Sequence, residues 1–377
     1  MAGIYIHIPF CKTRCIYCDF YSSTQTALKE QYVDALCREL ETRKSYLQGE
    51  PLETIYFGGG TPSLLTAGNF GRIFDTLDCV YNLKACQEIT LEANPDDLSA
   101  EYLQTLSSFP FNRISIGVQT FNDDILTLLN RRHNASQAFT AVNNCRQAGF
   151  DNISIDLIYG LPGETLEILT NDLSQALSLR PEHVSAYCLT YEKGTPIYAM
   201  QQKHQVEEID EETGVNFFAI VMDTLTEAGY EHYEISNFCR LDKHSRHNSA
   251  YWEGSAYMGC GASAHSYNGT SREWNVSSLT SYIASMKADG REHETEILDT
   301  DIRYNELIIT SIRTRRGLPL QKLKAVFGGE YLTYCLRMAQ KYIESGKLER
   351  NADYLRLTRE GIFISDGIMS DLFRINR

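Results

Sequence analysis

Cys11, Cys15 and Cys18 fall within eight residues in the spacing Cys-x3-Cys-x2-Cys. Thiolates are the usual ligands of iron–sulfur clusters, and three on one short loop can reach a single cluster. The number three has a chemical consequence. A four-iron cluster held by three cysteines keeps one iron open, much as a catalytic metal site keeps a coordination position for a small molecule. A zinc site completed by a fourth ligand is the competing reading, with His7 and Asp19 close by in the chain.

More chemistry-bearing residues stand where successive apolar runs end. Gly58-Gly59-Gly60-Thr61-Pro62 closes the second run, Glu92 the third and Gln119 the fourth, and Asp156 leads the fifth into Tyr159-Gly160-Leu161-Pro162-Gly163. Parallel α/β folds bind ligands at the carboxyl ends of their strands, and glycines there let backbone amides approach a ligand. Any one of these features is equally a turn or a helix cap. Together they point to one ligand on one rim.

The elements that must carry this rim are six strand-like runs: Ile4–Ile8, Thr54–Phe57, Glu88–Leu91, Arg113–Val118, Asn152–Ile158 and His183–Leu189. They are rich in Ile, Val, Leu and Tyr rather than cleanly alternating, which predicts strands buried on both faces. Amphipathic stretches such as Leu28–Leu47 and Thr165–Leu179 separate them, so the reading is a parallel sheet, open or rolled into a partial barrel. A helix over Glu211–Ala228 and a short strand at Tyr233–Ser236 follow, then an irregular loop region over 239–275. From Asp301 the pattern becomes three helices, a hairpin at Leu348–Leu357 and a last helix. The fold class is therefore α/β over 1–235, with a connecting segment over 236–300 and a small helical, winged-helix-like unit over 301–377.

Composition excludes several classes. With 43% apolar and 22% charged residues the chain is globular, and 25 Gly with 9 Pro rule out collagen-like and low-complexity chains. No apolar run reaches the ~18 residues of a membrane span, and MAGIYIHIPF lacks the basic start of a signal peptide, so the expected location is cytoplasmic. Eleven cysteines are too few for a disulfide scaffold, and clustered ones in a reducing compartment are metal ligands first. Those at 37, 79, 86, 145, 188, 239, 260 and 335 are scattered, and packing is their expected role. The net charge of −14 is uneven: residues 303–377 carry 14 Lys and Arg against 8 Asp and Glu, leaving −20 for the rest. An acidic body of that kind argues against nucleic acid as a partner. A basic tail suits an acidic partner or peripheral contact with an anionic membrane.

The cysteine motif, with aromatic Tyr17 directly before Cys18, resembles the signature of the radical S-adenosylmethionine (SAM) superfamily. That resemblance makes the unit over 1–235 a partial (β/α)6 TIM-like barrel. It implies a [4Fe-4S] cluster on Cys11, Cys15 and Cys18 whose open iron chelates SAM, and reductive cleavage of SAM to a 5′-deoxyadenosyl radical. The rim is similar to the coproporphyrinogen-dehydrogenase-like branch. By that likeness Gly59, Gly60 and Thr61 face the methionine end of SAM, and Glu92 binds the ribose. Gln119, Arg131 and Asp156 are further SAM-site positions, and Tyr5 in YIHIPFC is an aromatic contact. Arg132 adjoins Arg131, and register alone separates them.

Within that branch two relatives compete. The oxygen-independent coproporphyrinogen III dehydrogenases carry a further cysteine where this chain has Phe20, and an extension ahead of the motif where this chain has ten residues. Arg246-His247-Asn248-Ser249-Ala250-Tyr251-Trp252 instead resembles the HNxxYW motif of the HemW heme chaperone family, which implies heme as cargo, hemoproteins (respiratory ones among them) as acceptors, and a homodimer. Imidazole is a common axial ligand of heme iron, so His247 is the expected heme-binding residue, with His244 and His265 as nearby substitutes. The alternative function is radical decarboxylation of coproporphyrinogen III to protoporphyrinogen IX.

Overall fold

The computed structural model describes residues 2–288 and 290–375. The parallel core consists of β1 (Ala2–Ile8), β2 (Leu52–Gly59), β3 (Glu88–Ala93), β4 (Arg113–Gln119), β5 (Ile153–Tyr159) and β6 (His183–Cys188), paired in that order. Helices cross between them, among them Lys29–Thr42, Ala67–Val80, Ala135–Gln147 and Leu166–Ser178. Local chemistry sets these helices. Thr66 and Asn134 each close a capping box with the residue three positions on, and Tyr32, Val33, Leu36 and Leu40 give the first helix its buried stripe.

The expectation of strands without alternation is corrected. The apolar residues Ile4, Ile6, Ile55, Phe57, Ile89, Leu91, Ile114, Ile116, Ile153 and Ile155 belong to the core cluster with the helices. The residues between them are polar: Tyr56, Glu92, Arg113, Ser115, Asp156 and Ser185 line one interior cavity. Each core strand therefore alternates with period two, and its polar half faces a concave interior. Tyr, Thr and Ser placed among aliphatics hide that alternation in the sequence.

The expectation of an irregular loop over 239–275 is corrected as well. β7 (Glu231–Glu234) and β8 (Asn237–Cys239) extend the sheet beyond β6. After the helix Arg246–Trp252, β9 (Ala256–Cys260) runs parallel to β1 on its other side, and β10 (His265–Tyr267), β11 (Ser271–Asn275) and β12 (His293–Ile297) continue from it antiparallel. The segment 236–300 thus supplies five strands of the same sheet. They are short and dense in Gly, Ser and His, which is why they read as loop. The C-terminal unit packs helices Thr300–Ile312, Leu320–Phe327, Gly329–Glu344 and Ser365–Leu372 around their own core, with β13 (Leu318–Pro319), β14 (Leu348–Arg350) and β15 (Tyr354–Leu357) as a small antiparallel sheet. No helix among the described residues is long and apolar enough to cross a membrane.

One buried carboxylate fastens the β9–β11 extension to the core. Glu39 is fully buried and accepts hydrogen bonds from Arg43 at 3.0 Å, and from the Gly261 amide, Asn275 Nδ2 and Tyr282 hydroxyl at 2.8 Å each. Removing one member of a buried pair strands the other's charge and costs about 3–5 kcal/mol. Glu39→Ala is therefore expected to lower stability by about that amount in a denaturant titration. A loss below about 1 kcal/mol would show that the four donors are satisfied without it.

Candidate cofactor site

A cavity of about 580 Å3 is lined by Cys11, Cys15, Cys18, Tyr17, Gly59, Gly60, Thr61, Glu92, Gln119, Arg131 and Asp156. Thirteen residues were singled out from the sequence, and these eleven meet here. Tyr5 and His247 do not line it.

The cysteine loop leaves β1 and is held in place by the backbone. The Cys11 amide donates to the Ser23 carbonyl at 3.0 Å, the Ile16 amide to Leu129 at 3.2 Å, and Asn130 Nδ2 to the Arg14 carbonyl at 2.7 Å. Side chains address two of the sulfurs. Thr61 Oγ1 lies 3.6 Å from Cys11 Sγ, and Arg131 Nη1 lies 3.5 Å from Cys15 Sγ. Burial raises the Cys11 thiol and pushes that of Cys18 up to about 11, so both carry protons that metal binding would displace. The donor set fits an iron–sulfur cluster. The sulfurs line one wall, and a guanidinium beside Cys15 offsets thiolate charge. Of the two fourth ligands a zinc site could draw on, His7 has both ring nitrogens taken, by the Tyr5 hydroxyl and the Tyr21 carbonyl at 3.0 Å each, and Asp19 lines the cavity. Among the described residues no three His, Cys, Asp or Glu side chains converge on one point.

The glycines after β2 act differently from expectation. Their amides are not open to a ligand: that of Gly59 donates to Glu92 Oε2 at 3.1 Å, and that of Gly60 to the Ile8 carbonyl at 2.9 Å. What they supply is clearance. Gly59 has φ +105°, and a Cβ there would stand 2.4 Å from the His7 ring. At Gly60 a Cβ would meet the backbone of Ile8 and Pro9 at 2.8 Å.

The two arginines separate cleanly. Arg131 turns inward, donating Nη2 to Asn94 Oδ1 at 2.8 Å and to the Gly117 carbonyl at 2.5 Å. Arg132 pairs with Asp96 and Asp97 at 2.9 Å each and does not line the cavity. Gly117 makes the inward turn feasible, since a Cβ there would stand 3.3 Å from Arg131 Nη2 and 2.8 Å from Gln119 Nε2. Gln119 itself has φ +70° at a register shift between β4 and β5, a strained non-glycine residue of the kind that collects at binding sites.

Deeper in, two carboxylates face the same space. Glu92 accepts from the Tyr56 hydroxyl at 2.7 Å, and Ser115 donates to Asp156 at 3.3 Å. Burial lifts Glu92 to about 7 despite those donors, and nearby Asp156 adds to the rise. Burial also raises Asp156, against Ser185, Arg113 and Ser115.

His247 sits elsewhere, buried in the helix Arg246–Trp252. Its Nδ1 is hydrogen-bonded to Thr54 Oγ1 at 2.8 Å and its Nε2 to the Tyr251 hydroxyl at 2.7 Å, so neither nitrogen is open. Burial, helped by Arg113, holds its pKa down at about 3. Glu88 pins the start of that helix, accepting the Arg246 and His247 amides at 2.9 and 3.0 Å. The motif reaches the cavity through Asn248 instead. Tyr5 stands behind Tyr56, ring centroids 6.2 Å apart. Sequence reasoning missed Asn94, Arg113, Tyr56 and Tyr187, all of which line the cavity. Arg113, Ser115 and Gly117 at alternate positions were the available signal. Cys188, expected to pack in a strand, is exposed and also lines the cavity.

Comparison with known proteins fits this geometry. The Radical SAM superfamily model matches residues 5–175, and the HemN C-terminal domain model matches 298–364. In fold the chain is similar to coproporphyrinogen III oxidase (HemN) from Escherichia coli, with a TM-score of 0.85 over 99% of this chain and 90% of that one, at 24% identity. In sequence it is 34% identical to the heme chaperone HemW of Bacillus subtilis over 371 residues, 98% of each chain. It is 32% identical to that of Mycobacterium tuberculosis over 379 residues, 98% of this chain and 94% of the relative. On likeness of this extent and level, the chain belongs to the HemW heme chaperone family.

Proposed function

We propose that this protein is a heme chaperone on a radical-SAM scaffold, binding heme as cargo and passing it to acceptor hemoproteins, with a [4Fe-4S] cluster and SAM as resident cofactors. The observation that carries the cofactor part is the meeting of three loop cysteines, Arg131, Glu92 and Asp156 on one cavity. Cys11, Cys15 and Cys18 would hold the cluster. Arg131 would pair with the SAM carboxylate, as a guanidinium does through charge-assisted hydrogen bonds, and Glu92 and Asp156 would accept from the ribose. When bound, cluster and SAM supply one-electron chemistry. The chain supplies the cradle: Gly59 and Gly60 give clearance, and Arg131 is fixed by Asn94. Phe20, 69% exposed at the cavity, brings no fourth sulfur. His247 would act on heme through the packing of its helix rather than as an open ligand.

Anaerobic reconstitution with parallel assays tests the reading. The expected result is about four irons per chain, lost in Cys15→Ala, with hemin bound at about one per chain and no turnover of coproporphyrinogen III. Formation of protoporphyrinogen IX with release of 5′-deoxyadenosine would establish the dehydrogenase instead.

The two arginines give a sharper check. Arg131→Ala is expected to weaken SAM binding by about 1.5–3 kcal/mol, the worth of hydrogen bonds to a charged group. Arg132→Ala should leave it unchanged in the same equilibrium measurement, and equal losses would refute the assignment.

Glu92 makes SAM affinity depend on pH. The folded, ligand-free chain holds this proton up to about 7, above the ordinary 4.5, so the carboxyl costs stability as pH rises between those values. The ionised form is the better acceptor, so SAM affinity should climb as pH rises through 7. Glu92→Gln should flatten that climb, and a climb of the same size in the variant would remove Glu92 from the site.

A further inference from the structure

The inner face of β9, β10 and β11 carries Tyr257, His265, Tyr267 and Trp274. In register, His265 lies opposite Trp274, and Tyr267 lies opposite Tyr257. Their opposite face is engaged with the helix layer, where Arg43 reaches the Gly259 carbonyl and Ser266, and Glu39 reaches Asn275. The inner face is bordered by Tyr251 and by Glu306 of the helix Thr300–Ile312, and Tyr257, Tyr267 and Trp274 on it are half-buried. His265 is exposed and lies nearly parallel to the Trp274 ring at 5.8 Å, 25° between planes. Tyr257 is 6.3 Å from Tyr267, and on its other side 4.4 Å from Tyr251 of the HNxxYW helix.

The nine histidines are not equivalent. His7, His183 and His247 are buried with both ring nitrogens hydrogen-bonded, and His133 is buried against the Val118 carbonyl. His232 gives Nε2 to the Ile235 carbonyl, His293 gives Nδ1 to that of Arg291, and His244 faces Glu231 at 3.4 Å. His204 is exposed, with no aromatic ring contact among the described residues. His265 alone joins an exposed imidazole, free of hydrogen bonds among the described residues, to a bank of aromatic rings. Charge at the face is mixed. Arg272 pairs with Glu306 at 2.5 Å, and Arg303, one turn before Glu306 on the same helix, has no ion-pair partner among the described residues. The acids opposite Trp274 and Arg272, Glu294 and Glu296, lie on the outermost strand, and Glu296 acts on Glu306.

We propose that heme, taken as cargo on the reading above, lies on this aromatic face with His265 as an axial ligand to its iron and Arg303 pairing a propionate. A neutral imidazole donates a lone pair to iron, and flat apolar rings match a macrocycle. The face touches the HNxxYW helix through Tyr251, which gives that motif a part in heme handling without requiring His247 to leave its pocket.

Hemin titration of the full reconstituted chain, followed by its visible absorbance, tests this, with metal-free protoporphyrin IX as a second probe. His265→Ala is expected to weaken hemin at least tenfold and shift the spectrum, leave metal-free protoporphyrin unchanged, and recover the spectrum with added imidazole. Arg303→Glu should weaken both porphyrins severalfold. Iron–sulfur content reports folding in each variant. If wild type binds hemin and His265→Ala binds within twofold with the same spectrum, the ligand assignment falls while the heme reading stands. If wild type binds no hemin, both fall.

Discussion

Glu92 and Asp156 share an enclosed interior, where two carboxylates lose hydration and repel each other. Arg113 is the cation that acts on both, beside the hydrogen bonds of Tyr56 to Glu92 and of Ser115 to Asp156. It opens β4, is 2% exposed, and pulls down the pKa of both acids from inside the same cavity. The same charge, after burial, keeps His183 and His247 neutral. With a cation fixed at that depth, the sheet can carry a polar inner face while its outer face stays apolar against the helices. The two cavity acids and the two neutral histidines thus feel the same guanidinium, after burial itself. Its Nε has no hydrogen-bond partner among the described residues.

The cofactor site was more legible in the sequence than the sheet around it. Cysteine spacing, the rim carboxylates and the arginine pair are local features, and each strand end delivers its residue to the rim whatever the details of packing. The sheet's inner face was less legible because Tyr and Thr count as strand formers in either orientation, so Tyr56 or Thr90 gives no sign of facing inward. β9 to β11 were missed for a different reason. Their place beside β1 comes from long-range contacts such as Glu39 with Gly261 and Asn275, which short segments rich in Gly and Ser do not announce.

His247 shows the limit of reading a motif as a ligand list. A histidine followed by asparagine and an aromatic pair suggests a metal site when taken as a string. Folded, the same residues form a helix whose first amides are capped by Glu88 and whose histidine fills the space over Gly3, where a Cβ would crowd it at 3.2 Å. A satisfied polar group in that position holds the helix against the sheet. The residue the motif does present inward is Asn248.

Tyr56 joins these regions. Its ring stacks on His247 at 5.1 Å, and its hydroxyl donates to Glu92 at 2.7 Å. A ligand that takes the Glu92 carboxylate competes for the acceptor of that hydroxyl, and the ring it belongs to forms one wall of the His247 pocket. Beyond His247, Tyr251 carries the contact to Tyr257 and so to the sheet extension. The cofactor cavity and the HNxxYW helix are therefore neighbours through single side chains, although some 230 residues separate Cys18 from His247 in the chain. Contact of this kind supplies a route along which occupancy of one site could bias the other. It acts as one where a ligand on Glu92 favours a second arrangement of Tyr56.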